Sequence, residues 1–239
     1  MSLSQWLEAI NNKTQAVLIT HVNYQNSEIQ EKIPDIIAAA RKHHAYTIID
    51  CAQSIGVIPI DLSHWQADIV LGSSVKWLCG GPGAGFLWCH PEILPKLKPL
   101  DIGWFSSADP ANFSNQFNYH PNTQRFLGGT PSILPFAIAA ASIKMITELN
   151  INDIYQHNQV LLDQLKTKLA SLPCTINHHA KGGTACLDFK ENNVNILNQL
   201  KSHNIFADYR PQSGIRLSPH IYNTEKQISK LIDKFSFIF

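Results

Sequence analysis

Ile69-Val-Leu-Gly-Ser-Ser-Val-Lys76-Trp-Leu-Cys-Gly80-Gly-Pro-Gly-Ala-Gly85-Phe-Leu-Trp-Cys89-His-Pro91 carries a single Asp, Glu, Lys or Arg, Lys76, in an otherwise apolar, glycine-rich run. Its two ends, 67–72 and 83–89, read as strands flanking a turn. Two more runs, Ala16–Thr20 and Tyr46–Asp50, also lack clear polar alternation. That pattern predicts strands buried on both faces and therefore a parallel or mixed sheet. Between those runs, residues 27–44 predict a helix. Ser27 and Gln30 have the spacing of a capping box, Ile29, Ile33, Ile36, Ile37 and Ala40 share a stripe, and Arg41 and Lys42 stand at the end. Strand, helix and strand in that order predict an α/β fold.

At 239 residues the chain can hold one good core, or a medium domain plus a small one. Hydrophobic residues make up 44% and charged residues 15%, against about 25% charged in an ordinary soluble protein, which argues against disorder. Nineteen Lys and Arg against 18 Asp and Glu leave a net charge of +1 with no basic run, so no nucleic acid partner is expected. No stretch approaches about 18 uninterrupted apolar residues, and Met1-Ser-Leu-Ser-Gln-Trp6 lacks a basic segment leading into an apolar one, so no membrane association is expected. The five cysteines, 51, 79, 89, 174 and 186, form no C-x-x-C pair. They read as core fillers in a reducing compartment, and a cytoplasmic location is the expectation. His178-His179 and the scattered histidines show no metal-ligand spacing; they read as surface residues, and no metal is expected.

After Pro91 the chain is irregular for about 40 residues, longer than a passive loop usually runs, which predicts a functional segment or one packed on a partner. Thr130-Pro131 reads as the N-cap and first position of an apolar helix ending near Ile146, and 153–171 as a second, amphipathic helix. A strand (185–189), a helix (193–203), a strand (205–209) and a last helix from Thr224, with Gln227 completing a capping box, make a small α+β domain. The expected division is a larger domain, 1–150, and a smaller one, 151–239.

Three side chains stand out chemically. The isolation of Lys76 predicts burial, and a desolvated lysine suits nucleophilic or Schiff-base chemistry because burial disfavours its charged form; a lysine snorkelling from a strand end is the alternative. Asp50 ends an apolar run, which places a carboxylate at the carboxyl edge of a strand, where open α/β sheets bind ligands. A buried carboxylate there needs a cationic partner, such as the pyridinium nitrogen of pyridoxal phosphate (PLP), unless it caps the next helix. Gln53 follows it by three positions. Arg216, in Gly214-Ile-Arg-Leu-Ser-Pro-His-Ile-Tyr222, follows a Pro/Gly loop, where its planar fork suits a carboxylate or a structural salt bridge. Gly80-Gly-Pro-Gly-Ala-Gly85 lacks the Lys-Ser/Thr of a P-loop and precedes a strand, so it reads as a turn beside the lysine.

Taken together, these residues resemble the class V aminotransferase superfamily of fold-type I PLP enzymes, and within it most closely the kynureninases. The resemblance runs through Thr20-His-Val-Asn-Tyr24, Asp50-Cys-Ala-Gln-Ser-Ile-Gly56, Pro59-Ile-Asp-Leu62, Lys76-Trp-Leu-Cys-Gly-Gly-Pro-Gly83, Gly103-Trp-Phe105, Arg125-Phe126, Gly129-Thr-Pro131 and residues 216–224. It implies an incomplete large domain with a mostly parallel sheet, plus a small C-terminal domain. It implies that Lys76 holds PLP as a Schiff base, Asp50 pairs with the pyridine nitrogen, and Gln53 lies near the phenolic oxygen. Thr20 and Ser73 would touch the cofactor, and Arg216 would hold the substrate α-carboxylate. Trp104 and Thr130 would serve the neighbouring subunit's phosphate region, which implies a homodimer.

The chain departs from kynureninases at Gln53, where they carry His, at Val75, where they carry Tyr, and at Ser106-Ser107, where Gly-His is usual. Gln at the first position is familiar from cysteine desulfurases. Those enzymes need a nucleophilic cysteine on the loop before the arginine, and Tyr209-Arg-Pro-Gln-Ser-Gly214 has none. The resemblance covers the C-terminal part of such an enzyme, so the phosphate-binding loop and the ring stacked on the pyridine are expected in an N-terminal portion outside this sequence. The leading expectation is a kynureninase-like hydrolase converting kynurenine to anthranilate and alanine. The alternatives are a class V aminotransferase acting on another amino acid, and an inactive fragment or partner subunit of a split PLP enzyme.

Overall fold

A computed structural model describes residues 1–112 and 115–238. The chain forms two compact units that interleave in sequence: Met1–Thr20, Lys32–Ala52 and Asp61–Ile143 make the first, and His21–Glu31, Gln53–Ile60 and Lys144–Phe239 the second. The expected division at residue 150 lies close to the last of these boundaries but misses the two short segments, 21–31 and 53–60, that join the C-terminal unit.

The first unit contains α1 (Leu3–Ala9), β1 (Ala16–Thr20), α2 (Ile33–Lys42), β2 (Tyr46–Asp50), α3 (Leu62–Trp65), β3 (Ile69–Ser73), β4 (Gly85–Cys89) and most of α4 (Ile133–Glu148). The sheet order is β1-β2-β3-β4; the first three strands are parallel and β4 runs antiparallel to β3. Ile19, Ile49 and Val70 align in one row and are buried. α2 packs on β1 and β2 and buries Ile33, Ile36, Ile37 and Ala40. Asp68 fixes the start of β3, its Oδ2 accepting the Thr47 backbone N–H at 2.7 Å and the Thr47 hydroxyl at 2.8 Å.

Burial on both faces of β1 is not observed. Val17 and Ile19 are buried while Leu18 between them is 60% exposed, because a two-residue period sends alternate side chains to opposite faces. An all-apolar strand fits one covered face or two, so its composition did not reveal this. The expected Ser27 capping box is also absent. α2 begins at Ile33 with Pro34 in its first turn, and Ser27 lies in the second unit with φ +62°. α4 starts three residues after Thr130, so Thr130-Pro131 precedes the helix and does not cap it.

The segment between β4 and α4 contains three short 3₁₀ turns, Leu94–Lys96, Trp104–Ser106 and Thr123–Phe126. Residues 113 and 114 within it lie outside the described residues. Buried Arg125 pins this segment: Nε donates to the His120 carbonyl at 2.9 Å, and Nη1 to those of Leu94 and Leu97 at 2.8 and 3.0 Å. A long irregular run thus gains order from one multi-donor side chain that satisfies backbone carbonyls.

The second unit adds α5 (Ile151–Lys168), β5 (Thr175–Ile176), β6 (Ala185–Asp188), α6 (Asn193–Ser202), β7 (Asp208–Arg210), β8 (Gly214–Leu217) and α7 (Glu225–Ile238). Its antiparallel sheet has the order β5-β6-β8-β7. Leu161, Leu162, Leu165, Ile196, Leu200, Ile215 and Phe235 form the core, with Phe189 stacked on Phe235. The Thr224 capping box is present: Gln227 N–H donates to Thr224 Oγ1 at 3.3 Å and Thr224 N–H to Gln227 Oε1 at 3.0 Å. β7 begins at Asp208, three residues later than expected, where its pairing with β8 starts. Among the described residues no single helix is long and apolar enough to cross a membrane.

Candidate functional site

In the first unit, Thr20 and Asp50 are register partners at the carboxyl ends of β1 and β2, and Asp50 pairs onward with Leu71 of β3. Asp50 is half-buried, and its Oδ1 accepts the Ala52 N–H at 2.8 Å. Among the described residues no cationic side chain forms a salt bridge with it. Ser73 is the last residue of β3, and the chain turns immediately after it.

Ser74 holds that turn together. Its buried hydroxyl lies 2.8 Å from the Ala84 carbonyl and 3.1 Å from that of Gly81, and its own carbonyl accepts the Gly80 N–H at 2.8 Å. The Cys79 N–H donates to the Lys76 carbonyl at 2.9 Å, so the glycine cluster does form the turn beside the lysine. Gly80 packs so closely on α4 that a Cβ there would lie 3.0 Å from Ala139 Cα.

Lys76 itself is exposed, which corrects the expected burial. Trp77 and Leu78, the next two residues, take the interior places. In a tight turn only some side chains point inward, and the large apolar ones win those positions. Among the described residues Lys76 has no salt-bridge partner, which leaves an accessible amine on a rigid turn.

Trp104 is 53% exposed, and its indole N–H donates to the Pro110 carbonyl. The Phe105 N–H donates to the Gly128 carbonyl at 3.0 Å, which holds the Trp104 segment against the one leading to exposed Thr130. The two residues therefore belong to one surface region.

In the second unit, Gln53 and Arg216 line one cleft together with Val22, Asn23, Tyr24, Ser27 and Thr184. The loop of residues 23–27 is stapled to the small sheet. The Ser27 carbonyl accepts the Gly182 N–H at 2.9 Å, Ser27 Oγ accepts the Thr184 N–H at 3.1 Å, and the Asn26 carbonyl accepts Asn177 Nδ2 at 2.7 Å. Arg216 donates through Nε to Asp208 Oδ2 at 3.1 Å, through Nη2 to the same oxygen, and through Nη1 to the Tyr24 carbonyl at 2.8 Å. The structural salt bridge anticipated as an alternative is thus present. Asn23 was not singled out from sequence, although it lies inside the Thr20–Tyr24 motif; its Oδ1 accepts the Gln25 N–H at 2.8 Å.

Burial holds the His21 imidazole down at about 4, so it is neutral near pH 7. Cys186, in register with Arg216, has its thiol pushed up to about 11 by burial, which makes it a poor nucleophile. Cys51, Cys89 and Cys186 are core fillers as expected, whereas Cys79 is exposed on the lysine turn. His178 and His179 are exposed.

The family described as aminotransferase class-V matches residues 1–231. The uncharacterized aminotransferase YcbU of Bacillus subtilis (strain 168) is 27% identical over 240 residues, covering 99% of this chain and 63% of the relative. A kynureninase of Burkholderia mallei (strain SAVP1) is 25% identical over 218 residues, covering 87% of this chain and 52% of the relative. The chain thus spans between half and two thirds of the length of these curated relatives. The apo structure of a cysteine desulfurase from Thermococcus onnurineus NA1 matches at a TM-score of 0.88 with 20% identity, over 100% of this chain and 63% of that one. The cystine C–S lyase C-DES, in complex with cysteine persulfide, matches at 0.87 with 22% identity, over 98% and 64%. At these identities the likeness is one of fold, and it bears out the fold-type I architecture.

Proposed function

Because this chain belongs to the class-V aminotransferase family, we propose that it supplies the cofactor-holding lysine and the substrate-holding arginine of a PLP-dependent enzyme acting on an amino acid. The observation that carries this reading is the strand-end carboxylate Asp50, without a salt bridge among the described residues, in the same unit as an accessible Lys76 on a hydrogen-bonded turn. Those residues fit PLP chemically: the pyridinium N–H needs an anionic acceptor and the aldehyde needs an amine. Bound PLP supplies an electron sink.

Each residue has a role in this proposal. Lys76 holds the cofactor covalently, and Asp50 accepts the pyridinium N–H. Thr20 and Ser73, at the ends of β1 and β3, would touch the cofactor, and Gln53 would serve its phenolic oxygen. Arg216 orients the substrate by its carboxylate. Trp104 and Thr130 serve the second subunit of a homodimer, a role that suits their exposure.

For the reaction we propose kynureninase-type hydrolysis of a Cβ–Cγ bond, kynurenine giving anthranilate and alanine. The Thr20–Tyr24 motif and the 218-residue likeness to a kynureninase support it. Transamination is the second reading, favoured by Gln53 in place of His and by the likeness to YcbU across 99% of the chain.

Incubation of the purified chain with PLP, borohydride reduction and peptide mapping tests the site. The expected label is on Lys76; a label on another lysine overturns the assignment. With the same preparation, anthranilate released from kynurenine supports the hydrolase. Conversion of the cofactor to pyridoxamine phosphate, reversed by a 2-oxo acid, supports the aminotransferase.

A further inference from the structure

Asp208 and Arg216 are direct register partners across antiparallel β7 and β8, so their side chains leave the same face of the sheet. The contacts of Arg216 are distributed unevenly around its guanidinium. Asp208 Oδ2 takes Nε and Nη2, the side edge, and the Tyr24 carbonyl takes one N–H of Nη1. A guanidinium carries five N–H groups. Two are left over, one on Nη1 and one on Nη2. The cleft lined by Arg216, with Asn23, Gln53, Ser27 and Thr184 among its walls, has no acidic side chain in its lining among the described residues.

We propose that Asp208 is a positioning residue: by occupying the side edge of Arg216 it holds the guanidinium in place with one N–H of Nη1 and one of Nη2 left for a ligand at the cleft, which then selects a monocarboxylate. This inference rests on the reading of Arg216 as the group that holds the substrate carboxylate. A long arginine side chain already fixed in one rotamer loses less freedom when it binds a ligand, so the fork is pre-organised. Charge sets the stoichiometry. Arg210 Nε also donates to Asp208 Oδ2, at 3.1 Å. Two guanidiniums around one carboxylate leave one positive charge, which a single ligand carboxylate balances. The Asp208 side chain is 44% exposed, so its replacement leaves no buried void.

The test follows the Arg216 Nε–H resonance of the full chain by NMR, assigned by its loss in Arg216→Lys, with L-alanine and L-alaninamide as probes. The wild-type chain is expected to show a sharp Arg216 signal that L-alanine shifts and L-alaninamide does not. In Asp208→Ala, with its circular dichroism unchanged, that signal should broaden into exchange and the Kd for L-alanine should rise about tenfold. Asp208→Asn, which keeps an acceptor oxygen, should restore part of both; Arg210→Ala, which removes the surplus positive charge but not the side-edge contact, should leave the signal sharp and raise the Kd about threefold. A sharp signal and an unchanged Kd in Asp208→Ala overturn the proposal. If L-alanine leaves the wild-type signal unmoved while Asp208→Ala still broadens it, the carboxylate role of Arg216 is what fails, and the selection proposed here falls with it.

Discussion

Ser27 and Gly182, far apart in sequence, meet backbone to backbone: the Gly182 N–H donates to the Ser27 carbonyl at 2.9 Å, and a Cβ at position 182 would lie 2.3 Å from that oxygen. The loop of residues 23–27 can lie on the small sheet only because residue 182 has no side chain. Gly182→Ala should therefore push the loop off and cost about 1–3 kcal/mol, the usual range for overpacking. The check is a lower urea midpoint at unchanged slope; an unshifted midpoint would mean that the loop yields freely.

Acid should destabilise the protein through His21. Burial holds the folded imidazole at about 4, against 6.5 as its ordinary value. Between those values the unfolded chain binds the proton that the folded chain refuses. The neutral form's stability is thus fully present above pH 6.5 and declines as the pH falls toward 4, by up to roughly 3 kcal/mol. Urea titrations at pH 7 and pH 4.5 on wild type and His21→Gln measure it; the variant should lose most of that decline.

Ser74→Ala should loosen the turn that carries Lys76. Its buried hydroxyl is bonded to the Ala84 carbonyl at 2.8 Å, and removing such a bond costs about 1 kcal/mol. Amide hydrogen exchange should quicken at Cys79 and Gly80, whose N–H groups close the turn on the carbonyls of Lys76 and Ser74. Exchange unchanged at both amides would show that the turn is held from elsewhere.

A homodimer should form through the first unit. Ile133 and Leu134 at the start of α4 are 79% and 70% exposed, and Phe136 and Ile138 further along it are 44% and 47% exposed. Sedimentation at micromolar concentration should give twice the chain mass of 26.7 kDa, and Ile133→Glu with Leu134→Glu should reduce it to a monomer. A compact wild-type monomer whose 101–129 segment is readily cut by protease would contradict the dimer.

The main strand runs and the position of Asp50 at a strand's carboxyl end were legible in the sequence because each is a pattern within a few neighbouring residues, whereas α1, α3, β5 and β8, which are short, were not among the expected elements. The Thr224 capping box was legible for the same reason: both of its hydrogen bonds close between Thr224 and Gln227. The Ser27 spacing was locally identical and misled, because its hydroxyl is taken by the Thr184 N–H instead of a helix start.

By itself, the sequence determined the α/β class and the residue types offered to the proposed PLP site. The tertiary structure decided how those residues are used. An apolar run around Lys76 shows that something there is buried, but the turn geometry chose Trp77 and Leu78 for the interior and left the amine outside. Likewise a lone arginine after a loop could be a ligand clamp or an ion pair. The β7–β8 register set Asp208 opposite it, so Arg216 is an ion pair along its Nε–Nη2 edge, with the Tyr24 carbonyl on Nη1 and two N–H groups left over. Pairings of this kind depend on strand register and on contacts between distant segments, and neither leaves a local periodicity in the chain.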